Sequence, residues 1–248
     1  MRALEAWPGC DPWTERRDPQ RSSLRVYAAS VAEALARVPY FAADVRAIWQ
    51  KDPALRGHAL RALEVPLYAS FWALLAHRVA HLLHAIGLPF VPRLVSQVAR
   101  LFTGIEIHPG AHIGCGLFID HGMGVVIGET AVVGCDVLLF HGVTLGGVDA
   151  RPGRRHPLVG DSVVIGAGAK ILGAITVGSG ARIGAQAVVL KDVPAGATAV
   201  GIPARVIAQH AQANSRCARI PRLRREPGST SDPSSRPSAR QPSSAVGT

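Results

Sequence analysis

Cysteine is scarce in this sequence, with four residues among 248. They stand at positions 10, 115, 135 and 217, and none forms a CxxC pair or another metal-type spacing. Scattered thiols argue against a disulfide framework and indicate a reducing, cytoplasmic compartment. The N-terminus also lacks a basic stretch followed by an apolar run, so we expect no signal peptide.

Long uninterrupted apolar runs are missing as well. The most apolar window, residues 66–91, contains Arg78, three histidines and the helix breakers Gly87 and Pro89. These interruptions argue against a membrane span and predict a buried helix instead.

The formal net charge of +10 is concentrated at the C-terminal end. Residues 211–248 contain seven arginines and only two acidic residues, Glu226 and Asp232. This segment therefore carries half of the net positive charge of the chain. A segment rich in Ser, Pro and Arg cannot bury enough apolar surface to fold. We therefore predict a disordered basic tail over residues 209–248 and no nucleic-acid-binding domain.

The first half of the chain has the periodicity of helices. Residues 23–104 carry apolar side chains at helical spacing and predict an α-helical bundle, preceded by an irregular segment over residues 1–22. In "KDPAL", Asp52 can cap a helix that Pro53 begins, because proline lacks an N–H that would be unsatisfied there. Further helices are expected over residues 66–86 and 89–102.

After Gly104 the periodicity changes to six residues. Aliphatic residues recur at this interval in two series, usually followed by glycine or another small residue. The series are Ile107, Ile113, Ile119, Ile127, Val133, Leu139 and Leu145, then Val159, Ile165, Ile171, Val177, Ile183 and Val189. Period six is typical of a hexapeptide β-helix, in which three repeats close one triangular coil. We predict a left-handed parallel β-helix over residues 105–208, which makes the fold class α+β.

Asp120 and His121 break this repeat. Asp120 replaces the usual small residue after Ile119, and His121 follows it. An imidazole titrates near neutral pH, and a nearby carboxylate can fix its tautomer, so the pair has the parts of a general base. His141 is equivalent one coil later, so we expect the two rings about one strand spacing, roughly 4.8 Å, apart. A zinc site is an alternative, but no third ligand completes it.

Residues 146–157, "GGVDARPGRRHP", form the second interruption and predict a loop that leaves the β-helix wall. Gly146 and Gly147 can bring backbone N–H groups close to a ligand, as an oxyanion hole requires. Cationic donors suited to a carboxylate or a phosphate follow at Arg154, Arg155 and His156. Each feature also has a structural alternative, as a solvated loop or a contact between subunits.

Together these residues make the chain resemble the serine O-acetyltransferases of the hexapeptide-repeat acyltransferase superfamily. The motifs are "DPA" at 52–54, "HRVAH" at 77–81, "TGIEIHPGAHIG" at 103–114, "FIDHGMGVVIGETA" at 118–131, "GVTLGG" at 142–147, "RRHP" at 154–157, "IGAGAKILG" at 165–173 and "VGIPARVI" at 200–207. The resemblance implies transfer of acetyl from acetyl-CoA to the L-serine hydroxyl, the first step of cysteine biosynthesis. It also implies a homotrimer or a dimer of trimers.

The resemblance assigns roles to individual residues. His121 matches the general base, and Glu106 stands where the family has an aspartate that orients this base. The positions that match the pocket for serine, and for cysteine as feedback inhibitor, are Asp52, Asp120, Arg155 and His156. The positions that match the acetyl-CoA path are Gly146, Gly147 and Ala167. No metal is implied.

Several alternatives stay open. Family members often end in isoleucine, which docks into O-acetylserine sulfhydrylase, whereas this chain ends "AVGT", so we do not expect that complex. Asp52 has the simpler role of a helix cap. A sugar or amino sugar could replace serine as the acetyl acceptor. A zinc-dependent carbonic anhydrase or a non-catalytic scaffold would fit the same repeat.

Overall fold

The computed structural model describes residues 31–32, 34–36, 39–55, 59–150 and 153–209. The segment over residues 1–22 and the tail beyond Gln209 lie outside them. Residues 31–32 and 34–36 are helical, and the α-helices described over their whole length are α1 (Tyr40–Lys51), α2 (Ala69–Ala85) and α3 (Val91–Thr103); Pro53–Leu55 and Ala59–Leu67 are 3₁₀ helices. Among the helices described here, none has the length and apolar character needed to span a bilayer.

Helix α2 begins three residues later than the periodicity predicts. Residues 59–67 wind as a 3₁₀ helix that contains Pro66, and Tyr68 is extended, with φ −73° and ψ 130°. The extended backbone of Tyr68 interrupts the helical geometry, so the α-helix begins only at Ala69.

The second half consists of short strands wound into a parallel coil. The strands are β1 (Glu106–Ile107), β2 (His112–Ile113), β3 (Phe118–Asp120), β4 (Val126–Ile127), β5 (Val132–Val133), β6 (Leu138–Phe140), β7 (Thr144–Gly146), β8 (Leu158–Val159), β9 (Val164–Ile165), β10 (Lys170–Leu172), β11 (Thr176–Val177), β12 (Arg182–Ile183), β13 (Val188–Val189), β14 (Ala197–Val200) and β15 (Arg205–Gln209). Sheet 1 contains β1-β4-β7-β10-β13, sheet 2 contains β2-β5-β8-β11, and sheet 3 contains β3-β6-β9-β12-β14-β15. From β1 to β13 every third strand thus joins the same sheet, as the six-residue period predicts, and β14 and β15 extend sheet 3. Strand β15 pairs antiparallel with β14 and includes Gln209, the first residue of the predicted tail.

The aliphatic residues of the repeat fill the prism between the sheets. Ile107 pairs with Ile127, and Ile127 with Leu145, so equivalent residues stack along sheet 1. Every aliphatic residue of the two predicted series belongs to this buried core. The prediction of a hexapeptide β-helix is therefore confirmed in its register as well as in its type.

One buried ion pair ties the helices to the first coil. Arg78 of α2 places Nη2 2.8 Å and Nε 3.2 Å from Oδ2 of Asp44 in α1. Asp44 also accepts from the Leu117 N–H at 3.0 Å, and Arg78 donates to the carbonyls of Ile113 and Gly114 at 2.7 and 2.6 Å. Burial raises the pKa of Asp44 despite the opposing charge of Arg78. The pair thus makes hydrogen bonds both within the helical half and to the backbone of the first coil, and it fixes the junction between them.

Candidate active site

The corner between sheets 3 and 1 carries the residues that break the repeat. We call it the His121 corner; it consists of residues 121–125, 141–143 and 166–169 on successive coils. His121 has a left-handed backbone, with φ 60°, and its side chain is 72 % exposed. The ring of His141 meets it edge to face, with centroids 5.9 Å apart. The predicted proximity of the two imidazoles is confirmed.

Two further groups lie along the same corner. Asp120 places Oδ1 3.8 Å from Nε2 of His121, within ion-pair distance of a protonated ring. The carbonyl of His141 accepts the Gly168 N–H at 2.8 Å, which connects the histidines to the next coil, where Ala167 lies. An exposed imidazole with a carboxylate beside it can accept and hold a proton.

The helical half brings Asp52 towards this corner. Asp52 Oδ1 accepts the Ala54 N–H at 2.7 Å, so its predicted capping role is confirmed, and Oδ2 accepts the hydroxyl of Tyr68. Burial, then the hydrogen bond and charge of Asp52, and then the charge of Asp120 raise the pKa of Tyr68. The carboxylates of Asp52 and Asp120 therefore both raise the pKa of the Tyr68 hydroxyl. Tyr68 was not among the residues chosen from the sequence.

Lys51 anchors the end of α1 next to Asp52. Its Nζ donates to the carbonyl of Asp136 at 2.9 Å and pairs with Oδ1 of the same residue at 2.8 Å. The Gly116 carbonyl lies 3.3 Å from the same ammonium group. These bonds fasten the last turn of α1 to two successive coils, and so fix where the chain presents Asp52.

Glu106 is engaged by α3. Its Oε1 lies 3.2 Å from Nη2 of Arg93, and its Oε2 lies 3.2 Å from Nη1 of Arg100. Over the part of the chain that the structure describes, no hydrogen bond or ion pair joins Glu106 to His121. Its role in orienting the base stays a prediction.

The corner between sheets 1 and 2 carries the second group. We call it the His156 corner; it consists of residues 108–111, 128–131 and the described part of 147–157. Thr130 organises it, because its Oγ1 accepts the N–H groups of Arg155 and His156 at 3.0 Å each and lies 2.8 Å from Nδ1 of His156. The loop is thereby held against the coil below it. Thr130 fits the repeat as an ordinary small residue, so nothing in the sequence marked it.

The same contacts fix the tautomer of His156. The Thr130 N–H donates to Nδ1 at 3.2 Å, so Nδ1 is an acceptor and the neutral ring carries its hydrogen on Nε2. Burial, followed by the charge of Arg155, lowers the pKa of His156 against the opposing effect of Glu129. His156 is therefore a neutral side chain at pH 7 whose Nε2–H can donate to a ligand.

Three neighbours set the positions of Arg155 and His156. A methyl group on Gly128 would overlap the ring of His156, so only glycine fits there. Glu129 Oε2 accepts from Nη2 of Arg155. Burial would raise the pKa of Glu129, but the hydrogen bond and charge of Arg155 outweigh it and lower that pKa. The Cβ of a residue at Gly147 would lie 3.5 Å from Nε2 of His156, so Gly147 borders this donor.

Arg154 differs from its neighbour. Its Nη2 donates to the carbonyls of Ala174 and Ile175 at 3.0 and 3.2 Å, so it holds the loop to the wall. Of the three cationic candidates in the loop, Arg155 and His156 remain for a ligand.

The predicted site is thus divided between two corners of one chain. Sheet 1 separates the His121 corner, which includes Ala167 and directly follows Asp120 at the end of β3, from the His156 corner, which includes Gly147. Gly146 ends β7 in sheet 1. Among the described residues, no three His, Cys, Asp or Glu side chains are grouped to hold a metal ion.

Comparison with known proteins gives consistent matches. Residues 156–191 match the family described as bacterial transferase hexapeptide (six repeats). The serine acetyltransferase of Synechococcus elongatus is 58 % identical over 167 residues, which cover 67 % of each chain. That of Helicobacter pylori strain J99 is 58 % identical over 160 residues, which cover 64 % of this chain and 92 % of the relative.

Solved structures of serine acetyltransferases are similar too. The Neisseria gonorrhoeae enzyme in complex with serine has a TM-score of 0.66 at 40 % identity and covers 74 % of each chain. The Brucella abortus enzyme in complex with coenzyme A has a TM-score of 0.67 at 39 % identity, covering 76 % of this chain and 75 % of that one. A complex with cysteine has a TM-score of 0.67 at 38 % identity, covering 75 % and 71 %. These matches confirm the predicted helices followed by a left-handed β-helix.

Proposed function

The chain belongs to the serine acetyltransferase family, and we infer from this that it transfers the acetyl group of acetyl-CoA to the hydroxyl of L-serine. The products are O-acetyl-L-serine and CoA. The observation that carries this function is the charge arrangement of the two corners. The carboxylate of Asp120 lies beside the exposed imidazole of His121, whereas the guanidinium of Arg155 and the N–H donor of His156 stand at the other corner.

In this mechanism His121 acts as the general base. Its imidazole takes the proton from the serine hydroxyl as the oxygen attacks the thioester carbonyl of acetyl-CoA. The tetrahedral oxyanion collapses, the C–S bond breaks, and the imidazolium returns its proton to the departing CoA thiolate. Asp120, 3.8 Å from Nε2, stabilises the imidazolium between these two steps.

Charge complementarity assigns the two ends of serine. The ammonium group pairs with Asp52 and Asp120, and the carboxylate takes hydrogen bonds from Arg155 and from Nε2–H of His156. Glu129 holds Arg155 at one nitrogen and leaves its other N–H groups for the substrate. Cysteine carries the same ammonium and carboxylate, so it competes for the same pocket and can act as a feedback inhibitor. An amino sugar has no carboxylate for Arg155.

The acetyl-CoA path follows the small residues that border both corners. Ala167 continues the His121 corner by one coil beyond His141, and Gly147 borders Nε2 of His156. Gly146 precedes it at the end of β7. Small side chains at these positions leave room for the pantetheine arm beside the reacting hydroxyl.

The division of the site between two corners implies a second copy of the chain. A complete site forms when the His121 corner of one copy faces the His156 corner of the next. Heterologous contacts of this kind can close into a ring, and the resemblance to serine acetyltransferases implies a ring of three copies. The helical half exposes Leu60, Leu63 and Leu67 by 73 %, 77 % and 82 %, which supports pairing of two trimers through that half.

The test is a thiol-release assay with acetyl-CoA and either L-serine or an amino sugar. We expect turnover with serine, and a loss of about 10²–10⁴-fold in kcat for His121→Ala. Arg155→Ala should raise the KM for serine more than that for acetyl-CoA. The adjacent Arg154→Ala is the matched control, because Arg154 binds the wall and not the ligand. Near-normal turnover of His121→Ala, or preference for the amino sugar, would contradict the proposal.

A further inference from the structure

Tyr68 joins the helical half to the strand that ends at the His121 corner, and the mechanism above does not use it. It lies directly before α2, and its ring centroid is 6.3 Å from that of Phe118 in β3. Phe118 and Asp120 belong to the same three-residue strand. The tyrosine therefore packs on the strand that carries one carboxylate while its hydroxyl binds the other, Asp52.

The hydrogen bonds of Asp52 leave its carboxylate little freedom. Oδ1 receives the Ala54 N–H and Oδ2 receives the hydroxyl of Tyr68, so each oxygen has a fixed donor. Lys51 fastens the preceding turn to the coil. Burial and the neighbouring carboxylate of Asp52 raise the pKa of Tyr68, so its hydroxyl keeps its proton at neutral and moderately alkaline pH and remains a donor to Asp52.

We propose that Tyr68 is a positioning residue that holds Asp52 where the ammonium group of the substrate binds. The proposal rests on the serine acetyltransferase function given above. A side chain that acts only through Asp52 should affect the binding of the amino acid and leave the thioester substrate alone. Losing a hydrogen bond to a charged group costs enough to change affinity by about tenfold or more.

The test compares Tyr68→Phe with Tyr40→Phe, which removes a different hydroxyl from the helical half. Tyr68→Phe should raise the KM for serine about tenfold with the KM for acetyl-CoA unchanged, and Tyr40→Phe should change neither. In an Asp52→Ala background, Tyr68→Phe should have no further effect, because its target is gone. An unchanged KM for serine, or effects that multiply in the double variant, would overturn the proposal. Absence of serine turnover in the unmodified enzyme would overturn the proposed function instead.

A separate observation concerns Cys115 and Cys135. They occupy the same place in successive coils, next to the register that pairs Ile113 with Val133. Their Sγ atoms are 2.6 Å apart, and no disulfide joins them in the structure. The expectation that the thiols are scattered is wrong for this pair, because a spacing of twenty residues is one full coil here.

The backbone geometry suits a covalent link. Adjacent parallel strands place equivalent Cα atoms about 4.8 Å apart, inside the roughly 4.4–6.8 Å that disulfides span. Cys135 is buried and Cys115 is partly exposed, so a reagent reaches Cys115 first. We propose that a disulfide oxidant of the glutathione type links the two residues. Cys115 thiolate attacks the oxidant and releases one thiol; Cys135 then attacks the Cys115 sulfur and releases the second, so two electrons and two protons leave the protein.

The test uses the full chain with Cys10 and Cys217 replaced by serine. After treatment with oxidised glutathione, unreduced digestion should give one peptide pair joined through Cys115 and Cys135, lighter by two hydrogens than the reduced pair. Adding Cys135→Ser should instead leave a stable glutathione adduct on Cys115. Full alkylation of both thiols after oxidation, or an adduct that persists with both cysteines present, would overturn the proposal.

Discussion

Replacing Thr130 by valine removes one hydroxyl and keeps the shape of the side chain. Thr130 is 1 % exposed, and its Oγ1 receives the N–H groups of Arg155 and His156 at 3.0 Å each. Valine would leave both donors without this acceptor. An unsatisfied buried donor costs about 1–3 kcal/mol; the His156 N–H is buried and the Arg155 N–H partly buried, so the loss should be at least about 1–3 kcal/mol. That cost falls on the short segment that carries Arg155 and His156, the two residues proposed to bind the substrate carboxylate.

The segment should relax away from the coil, and the KM for serine should rise at least about tenfold, since 1.4 kcal/mol corresponds to a factor of ten. The KM for acetyl-CoA should change less. Initial rates of thiol release, measured across one titration of serine and one of acetyl-CoA, give the two constants. Thr130→Ser is the matched control, because it keeps the oxygen and should stay near the unmodified enzyme. A folded Thr130→Val enzyme with its KM for serine within about twofold of normal would refute the reasoning.

The remaining predictions concern one glycine, one buried ion pair and one histidine. Gly128→Ala should displace the ring of His156 and raise the KM for serine, and an unchanged KM would show that the ring does not bind the substrate. Asp44→Ala leaves Arg78 buried without its counter-charge and should lower the free energy of unfolding by about 3–5 kcal/mol; a loss below about 1 kcal/mol in urea unfolding would contradict this. Burial lowers the pKa of His108 from 6.5 to about 4. Between these two pH values the imidazole is protonated in the unfolded chain and neutral in the folded protein. Stability should therefore fall as the pH drops from 6.5 towards 4, and His108→Gln should flatten that slope in urea midpoints measured across the same range.

The β-helix could be predicted from the sequence because its core positions recur at a regular interval along the chain. Each coil needs one aliphatic residue per face, so the period of six appears at positions such as Ile107 and Ile127. The start of α2 was less visible, since helical spacing continues through the 3₁₀ turn before Tyr68. Local periodicity does not distinguish the two kinds of helix there.

The candidate site was visible only where it breaks the repeat. Asp120 and His121 stand out because they replace small or apolar residues. Thr130 and Gly128 fit the pattern, and their roles depend on the loop that returns over them from the next coil, a contact across 26 residues for Thr130. The role of Tyr68 likewise depends on its hydrogen bond to Asp52, which lies 16 residues earlier, just after α1. Contacts of this kind follow from the packing of the chain, which local spacing does not encode.

The central claim is that His121 of one copy and His156 of the next complete one site. Its most direct test is co-expression of His121→Ala and His156→Ala chains under two different tags, followed by purification of oligomers that carry both. At serine concentrations well below the KM, each variant alone should be far less active than the unmodified enzyme. A ring of three that carries both kinds of chain has one interface at which an intact His121 meets an intact His156, so about a third of the sites should work in trimers, and about a quarter in randomly mixed hexamers. Thiol release between about a quarter and a third of normal supports a shared site; mixed oligomers no more active than the parents contradict it.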